Sequence, residues 1–174
     1  VQISPSSLWD KSLIENVLFE RNTLECDHMT QVMLWLMAKQ VTVRNNLFLR
    51  DVDTEMWGCQ AIRIGAHVAV TGLQDARIYN NTYYDSRSRK GEGCFLDIEA
   101  PGFKAVSVHN NIFCAPLLPD PMSFGILYSN SLSEISASHN LWYYPKASGS
   151  SRSGYVAYDR SSKVAFTLSA WQKL

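Results

Sequence analysis

A short phrase recurs five times along the chain and constrains the fold more than any other feature. In each copy, alternating apolar residues lead into one or two asparagines, and an aromatic residue follows shortly after. The copies read LIENVLF (13–19), VTVRNNLF (41–48), ARIYNNTYY (76–84), VSVHNNIF (106–113) and ISASHNLWY (135–143). Their aromatics Phe19, Phe48, Tyr83, Phe113 and Trp142 are separated by 29, 35, 30 and 29 residues. Such regular spacing indicates a repeat protein.

The repeating unit is built from strands. Val41 and Val43 flank Thr42, and Val106 and Val108 flank Ser107, which is the two-residue period of a half-buried strand. A second apolar strand lies between the copies, in VMLWLM (32–37), AIRIG (61–65), FLDIE (95–99), GILYS (125–129) and YVAYD (155–159). A repeat of about 30 residues made only of short strands and turns predicts an all-β solenoid of about five coils.

The asparagines supply a physical reason for stacking. Asparagine tolerates the left-handed backbone needed at a sharp bend, and in a parallel solenoid the same position returns after one strand spacing, roughly 4.8 Å. Stacked amides then donate and accept along the column. We expect this ladder to contain Asn46, Asn81, Asn111 and Asn140, with Asn16 as the irregular first member.

The phrases IYNNTYY, VHNNIF and SHNLWYYP resemble the coils of right-handed parallel β-helix proteins of the pectate-lyase-like type, and FTLSAWQ (166–172) resembles the segment that often follows their last coils. The resemblance covers about residues 13–172 and implies a single-stranded right-handed parallel β-helix. Its members include polysaccharide lyases, pectin-type hydrolases, uronate epimerases, tailspikes and adhesins. It therefore implies an extracellular or periplasmic protein that acts on polysaccharide, but not a particular activity.

The chain is expected to be one β-helix domain over residues 1–174, excised from a longer protein. Family members begin with an amphipathic cap, whereas this sequence opens on VQISPSSLW, which reads as the middle of a coil. A terminal coil without a polar cap exposes an apolar cross-section. The sequence thus predicts a β-helix that lacks one or both caps: it is either an excised fragment, or its ends are covered by a partner or, through end-to-end association, by a second copy.

Composition excludes two classes of partner. Sixteen basic and sixteen acidic residues cancel, so no positive excess is available for nucleic acid. The longest apolar run, residues 32–38, is far shorter than the roughly 20 residues of a membrane span. The four cysteines form no CxxC pair, and we expect them to be free thiols rather than zinc ligands or a disulfide framework.

The second strand of each repeat is the expected wall of a binding groove. If its leucines and isoleucines point inward, one outward column contains Trp35, Arg63, Asp97, Leu127 and Ala157. An aromatic ring stacks on a sugar, and a guanidinium holds a uronate carboxylate with two hydrogen bonds. We therefore predict Trp35, Arg63 and Asp97 as substrate-binding residues and Arg63 and Asp97 as catalytic residues. The alternative is an ordinary ion pair between neighbouring strands.

Further candidates lie between the strands. Arg87 and Arg89, in SRSRK (86–90), are predicted to overhang the groove and bind substrate, and His28 is the best candidate for a general acid or base. Asp51, Asp53 and Glu55 offer clustered oxygen ligands for Ca²⁺, the ion that family lyases use against substrate carboxylates. In each case the competing interpretation is a solvated loop or a structural residue.

The leading hypothesis is a β-helix that binds or degrades an acidic polysaccharide by β-elimination or hydrolysis. Two alternatives remain open. One is a non-catalytic scaffold, adhesin or tailspike-like stalk, and the other is part of a larger enzyme whose active centre lies partly in other coils.

Overall fold

The computed structural model describes residues 1–3, 14–26, 32–50, 59–65, 74–86, 93–98, 104–116, 123–128, 135–143, 155–159, 164–167 and 170. Every element assigned within them is a β-strand. The prediction of an all-β chain is confirmed. The predicted sites at His28, Asp51, Asp53, Glu55, Arg87 and Arg89 lie outside the described residues.

The strands form three main sheets. Sheet 1 runs in the order β1 (Gln2–Ile3), β5 (Val32–Leu36), β9 (Cys59–Ile64), β12 (Gly93–Ile98), β15 (Ser123–Tyr128), β18 (Tyr155–Asp159) and β19 (Val164–Thr167). Sheet 2 contains β3 (Leu18–Glu20), β7 (Val41–Arg44), β10 (Gln74–Tyr79), β13 (Lys104–His109) and β16 (Ile135–Ser138). Sheet 3 contains β4 (Thr23–Glu25), β8 (Leu47–Arg50), β11 (Thr82–Asp85), β14 (Ile112–Cys114) and β17 (Leu141–Tyr143). A smaller sheet pairs β2 (Ile14–Glu15) with β6 (Ala38–Lys39).

The chain enters the three sheets in rotation. From β7 in sheet 2 it passes to β8 in sheet 3 and β9 in sheet 1, and it then returns to sheet 2 as β10, beside β7. The next passage places β11 beside β8 and β12 beside β9. All described pairs are parallel except β18 with β19, which is antiparallel. The parallel stacking predicted from the repeat is therefore present.

One face of each sheet is apolar because the side chains alternate. In sheet 2 Val41, Val43, Ala76 and Ile78 are fully buried, while Thr42 and Arg77 lie on the opposite face. The same alternation places Phe48, Tyr83 and Phe113 of sheet 3 in the core. The ring centroids of Tyr83 and Phe113 are 4.8 Å apart. Side chains of all three sheets belong to one apolar cluster, which lies on the core-facing side of each sheet.

The first repeat begins later than the sequence pattern predicted. Phe19 pairs with Val43, and Leu24 takes the position opposite Phe48. The first copy is therefore 17–25 rather than 13–19, and the interval from Asn22 to Asn46 is only 24 residues. The alignment was wrong because it was anchored on an aromatic, whereas the core position in this repeat is filled by leucine.

A column of asparagine side chains joins the repeats between sheets 2 and 3. Its members are Asn22, Asn46, Asn81, Asn111 and Asn140. Along the column each Nδ2 donates to the next Oδ1 at 3.2, 2.9, 3.0 and 3.0 Å. The prediction is confirmed for the last four members and wrong for the first, because Asn16 lies at a different bend and Asn22 takes its place.

The left-handed residue of this bend is not the ladder asparagine, as we had expected, but the residue before it. Positive φ angles between 53° and 59° occur at Arg21, Asn45, Asn80, Asn110 and His139. The paired asparagines of the NN motif therefore have separate tasks. The first is exposed and adopts the left-handed backbone, and the second is buried and supplies the amide.

Candidate functional site

Backbone register aligns the predicted outer column of sheet 1. Trp35 pairs with Arg63, Arg63 with Asp97, and Asp97 with Leu127. On β18 the residue in register with Leu127 is Tyr158, whereas Ala157 pairs with Ile126. The prediction for Ala157 is wrong because β18 is offset by one residue from the spacing assumed for YVAYD, and a one-residue slip changes the face of a strand.

Arg63 lies between an aromatic ring and a carboxylate. Its Cζ is 5.3 Å from the centroid of the Trp35 ring, and its Nε is 3.9 Å from Oδ2 of Asp97. The indole Nε1 of Trp35 donates to the carbonyl oxygen of Gly65 at 2.6 Å. The Trp35 ring is anchored by this hydrogen bond and Asp97 is fully buried, so the guanidinium is confined between them.

Burial differs sharply along this column. The side chain of Asp97 has no solvent-exposed surface, and 12% of the Arg63 side chain is exposed. A fully buried carboxylate cannot meet a polysaccharide directly, so in this arrangement Asp97 orients Arg63. Of this pair, Arg63 is the residue with exposed side-chain surface, and a guanidinium has N–H donors of the geometry that suits a carboxylate.

A second column on the outer face of sheet 2 was not predicted. Glu20, Arg44, Tyr79 and His109 occupy successive strands in register. Arg44 Nε lies 2.6 Å from Glu20 Oε2, and Arg44 Nη1 donates to the Tyr79 hydroxyl at 3.0 Å. The Tyr79 and His109 rings stack with centroids 5.0 Å apart. The hydrogen bond to Glu20, and next the one to Tyr79, raise the pKa of the Arg44 guanidinium.

The sequence contained a signal for this second column. Each member stands two residues before a ladder asparagine, so the repeat itself places them in one row. The signal was missed because the four residue types differ, and a search for similar residues at equal spacing does not group them. Contacts join Glu20 to Arg44, Arg44 to Tyr79 and Tyr79 to His109 along the column.

The core face of sheet 3 contains a buried polar pair. Arg50 and Asp85 are partners in register, with 3% and 1% of their surface exposed. The Tyr83 hydroxyl donates to Oδ2 of Asp85 at 3.0 Å. Both residues end a strand on the same face as Phe48 and Tyr83, so this face of sheet 3 changes from apolar to polar at the ends of β8 and β11.

Within the described ranges, no three His, Cys, Asp or Glu side chains come together as a metal site. Described segments likewise contain no helix with the length and hydropathy needed to cross a membrane. Comparison with protein-family models, with curated proteins and with solved structures finds no match to this chain.

Proposed function

We propose that the chain is a right-handed parallel β-helix that binds an acidic polysaccharide outside the cell on the outer face of sheet 1. The rotation of the chain through three sheets supports the helical path, because each turn returns it beside its own previous strand. Parallel crossovers of this kind are almost always right-handed. The single apolar cluster that joins the three sheets supports a common interior.

The fixed guanidinium of Arg63 is the observation that carries the binding proposal. A uronate carboxylate accepts two parallel hydrogen bonds from a guanidinium, and little entropy is lost when the guanidinium is already held by Trp35 and Asp97. Trp35 supplies apolar ring surface beside the charge, which suits the C–H face of a sugar. Arg63 and Trp35 are therefore the ligand contacts, and Asp97 is a positioning residue.

Turnover is a further step of the proposal. β-Elimination needs a base for the proton next to the uronate carboxylate, and hydrolysis needs a pair of acids. The roles suggested for His28, Arg87 and Arg89, and for Ca²⁺ at Asp51, Asp53 and Glu55, remain predictions. A lyase releases unsaturated uronates that absorb ultraviolet light, and a hydrolase releases reducing ends without that absorbance.

The test is binding and turnover with polygalacturonate, alginate and hyaluronan, each with added Ca²⁺ and with EDTA. We expect the parent protein to bind at least one polymer and Arg63→Lys to weaken binding about tenfold, because lysine keeps the charge but lacks the two-pronged geometry. Trp35→Ala should weaken the same binding. Arg77→Lys is the matched control, since Arg77 is exposed on sheet 2 and pairs with Asp75.

Two results would overturn the binding proposal. One is a parent protein that binds none of these polymers, and the other is unchanged binding in folded Arg63→Lys and Trp35→Ala proteins. Far-ultraviolet circular dichroism and thermal melting establish that each variant is folded.

A non-catalytic scaffold is the second candidate. The observation in its favour is that outward charges pair with one another across strands, as Lys39 does with Glu15 at 2.8 Å and Arg44 with Glu20. Side chains that neutralise each other need no ligand. This candidate predicts that none of the three polymers binds.

A further inference from the structure

The outer face of sheet 3 is apolar, in contrast to that of sheet 2. One column contains Thr23, Leu47, Thr82, Ile112 and Leu141, and the next contains Glu25, Leu49, Tyr84, Cys114 and Tyr143. The corresponding positions of sheet 2 include Thr42, Arg77, Ser107 and Ser136. Apart from Leu18, which pairs with Thr42 and is 54% exposed, these positions of sheet 2 present polar side chains to water, whereas those of sheet 3 are mainly apolar.

Four large side chains of this face remain in solvent. Tyr84 is 39% exposed, Ile112 42%, Leu141 57% and Tyr143 49%. They are neighbours on three successive strands rather than scattered residues. Contiguous apolar surface of this kind marks a binding site more often than single exposed residues do. Among the described residues of the two columns only Glu25 is charged, and it lies at the opposite end of its column from Tyr143.

Tyr84 and Tyr143 stand in the same column of sheet 3. Tyr84 pairs with Cys114, and Cys114 pairs with Tyr143, so the two tyrosines stand two strand spacings apart, which is about 10 Å. The half-buried Cys114 between them is smaller than either ring. Two aromatic side chains at this separation match the length of one disaccharide unit in an extended sugar chain.

We propose that this face is a second carbohydrate site, which binds an uncharged, extended oligosaccharide lying across the strands. Tyr84 and Tyr143 stack against two sugar rings, and Ile112 and Leu141 contact their C–H surfaces. The proposed class is neutral because the side chains that adjoin the tyrosines in the two columns, Ile112, Cys114 and Leu141, have no positive charge to pair with a uronate carboxylate. The site is independent of the proposed function, since it lies on another sheet and uses no residue of the Arg63 column.

Cys114 provides a built-in reporter. It lies between the two tyrosines in the same column, so a sugar bound across them covers its thiol. Burial raises the pKa of this thiol, which lowers the thiolate fraction that reacts with an alkylating agent. Bound oligosaccharide should slow the alkylation of Cys114 further, and peptide mapping separates this cysteine from the others.

The experiment uses cellohexaose, xylohexaose and mannohexaose as neutral probes and trigalacturonate as the acidic comparison. We expect at least one neutral probe to bind by calorimetry and to protect Cys114. Tyr143→Ala and Tyr84→Ala should each weaken that binding about tenfold, while Tyr84→Phe keeps the ring and should keep the affinity. Arg63→Lys should leave neutral-probe binding unchanged, so failure at this site and failure of the sheet 1 proposal are separate results.

Three outcomes would overturn the inference. The first is that none of the neutral probes binds to the parent protein. The second is that binding persists in both folded alanine variants. The third outcome appears in light scattering over a concentration series. If the parent self-associates and Tyr143→Ala abolishes that association without changing probe binding, the face is a contact between copies of this chain.

Discussion

Two bends of the chain share a backbone conformation but differ in what they demand of the sequence. The bend between sheets 2 and 3 has its left-handed residues at Arg21, Asn45, Asn80, Asn110 and His139. The bend at the start of the sheet 2 strands has them at Asn16, Gln40, Asp75 and Ala105, with φ between 50° and 61°. Only the first bend is followed by a column of asparagines. Left-handed geometry alone therefore tolerates many residue types, including alanine.

The difference lies in hydrogen bonding rather than in burial, because buried side chains follow both bends: Asn46, Asn81 and Asn111 follow the first, and Val41, Ala76 and Val106 follow the second. After the first bend, the next side chain points into the protein, where backbone groups need partners. Asn81 is 1% exposed, donates through Nδ2 to the Val43 carbonyl and to Asn111 Oδ1, and accepts from the Asn46 amide. Asparagine carries a donor and an acceptor on one short amide, so it satisfies all of these groups. After the second bend the buried side chains are apolar and offer no donor or acceptor.

Replacing a central ladder residue is the strongest way to break the comparison. Asn81→Ala leaves the Val43 carbonyl and the Asn46 amide buried without their partners, and each unsatisfied group costs about 1–3 kcal/mol. We expect the free energy of unfolding to fall by about 3 kcal/mol in urea titration. Asp75→Asn, at the second bend, is the control and should change it by less than about 0.5 kcal/mol. Equal losses at the two bends would contradict the explanation.

The end of the ladder should be less sensitive than its centre. Asn140 is only half-buried, although its Nδ2 donates to the Val108 carbonyl at 2.9 Å and its Oδ1 accepts from Asn111. Water can replace part of these bonds, so Asn140→Ala should reduce the free energy of unfolding by about 1.5 kcal/mol. Urea titration of Asn140→Ala and Asn81→Ala side by side measures which variant loses more free energy of unfolding. A larger loss at Asn140 would show that burial does not set the scale.

Ala105 allows the effect of the left-handed backbone conformation to be tested at a residue that has no amide side chain. Its φ of 56° is unfavourable for a residue with a Cβ atom by about 1–2 kcal/mol. Glycine removes that strain but gains freedom when unfolded, so Ala105→Gly should stabilise the protein by about 0.5 kcal/mol.

Ala76→Gly is the matched control for this substitution. Ala76 is fully buried on a core-facing position of β10, and its φ is not positive. There the same exchange should destabilise by about 1 kcal/mol. The two variants should therefore shift the thermal midpoint in opposite directions, and a shift of the same sign in both would contradict the role given to φ.

His139 offers the smallest expected effect. It occupies the left-handed position of the ladder bend at φ 54°, where the three central repeats have asparagine, and it is exposed. His139→Asn should therefore raise the free energy of unfolding by a few tenths of a kcal/mol. His139→Val, with a branched Cβ atom, should lower it. If both variants melt at the same temperature, backbone conformation does not limit this position.

Much of the architecture follows from local patterns. The alternation of apolar and polar residues predicts the strands of sheet 2. The asparagines predict four members of the ladder, because a bend that buries an amide side chain requires asparagine at the same position of each repeat. The alignment of Trp35, Arg63 and Asp97 also follows from alternation. The same reasoning failed for Asn16 and Ala157, where a shorter first interval and a one-residue offset change the register without changing the composition.

The sequence by itself determined that this protein consists of repeated strands joined by asparagine bends, since periodicity and buried polar groups restrict residue types directly. Tertiary structure alone decided which outward side chains lie next to one another and how deeply they are covered. It buries Asp97, groups Arg44 with Tyr79 and His109, and leaves Tyr84 and Tyr143 in solvent. The physical reason is that neighbours across parallel strands are about 30 residues apart in the chain, and their packing depends on the register of every strand between them.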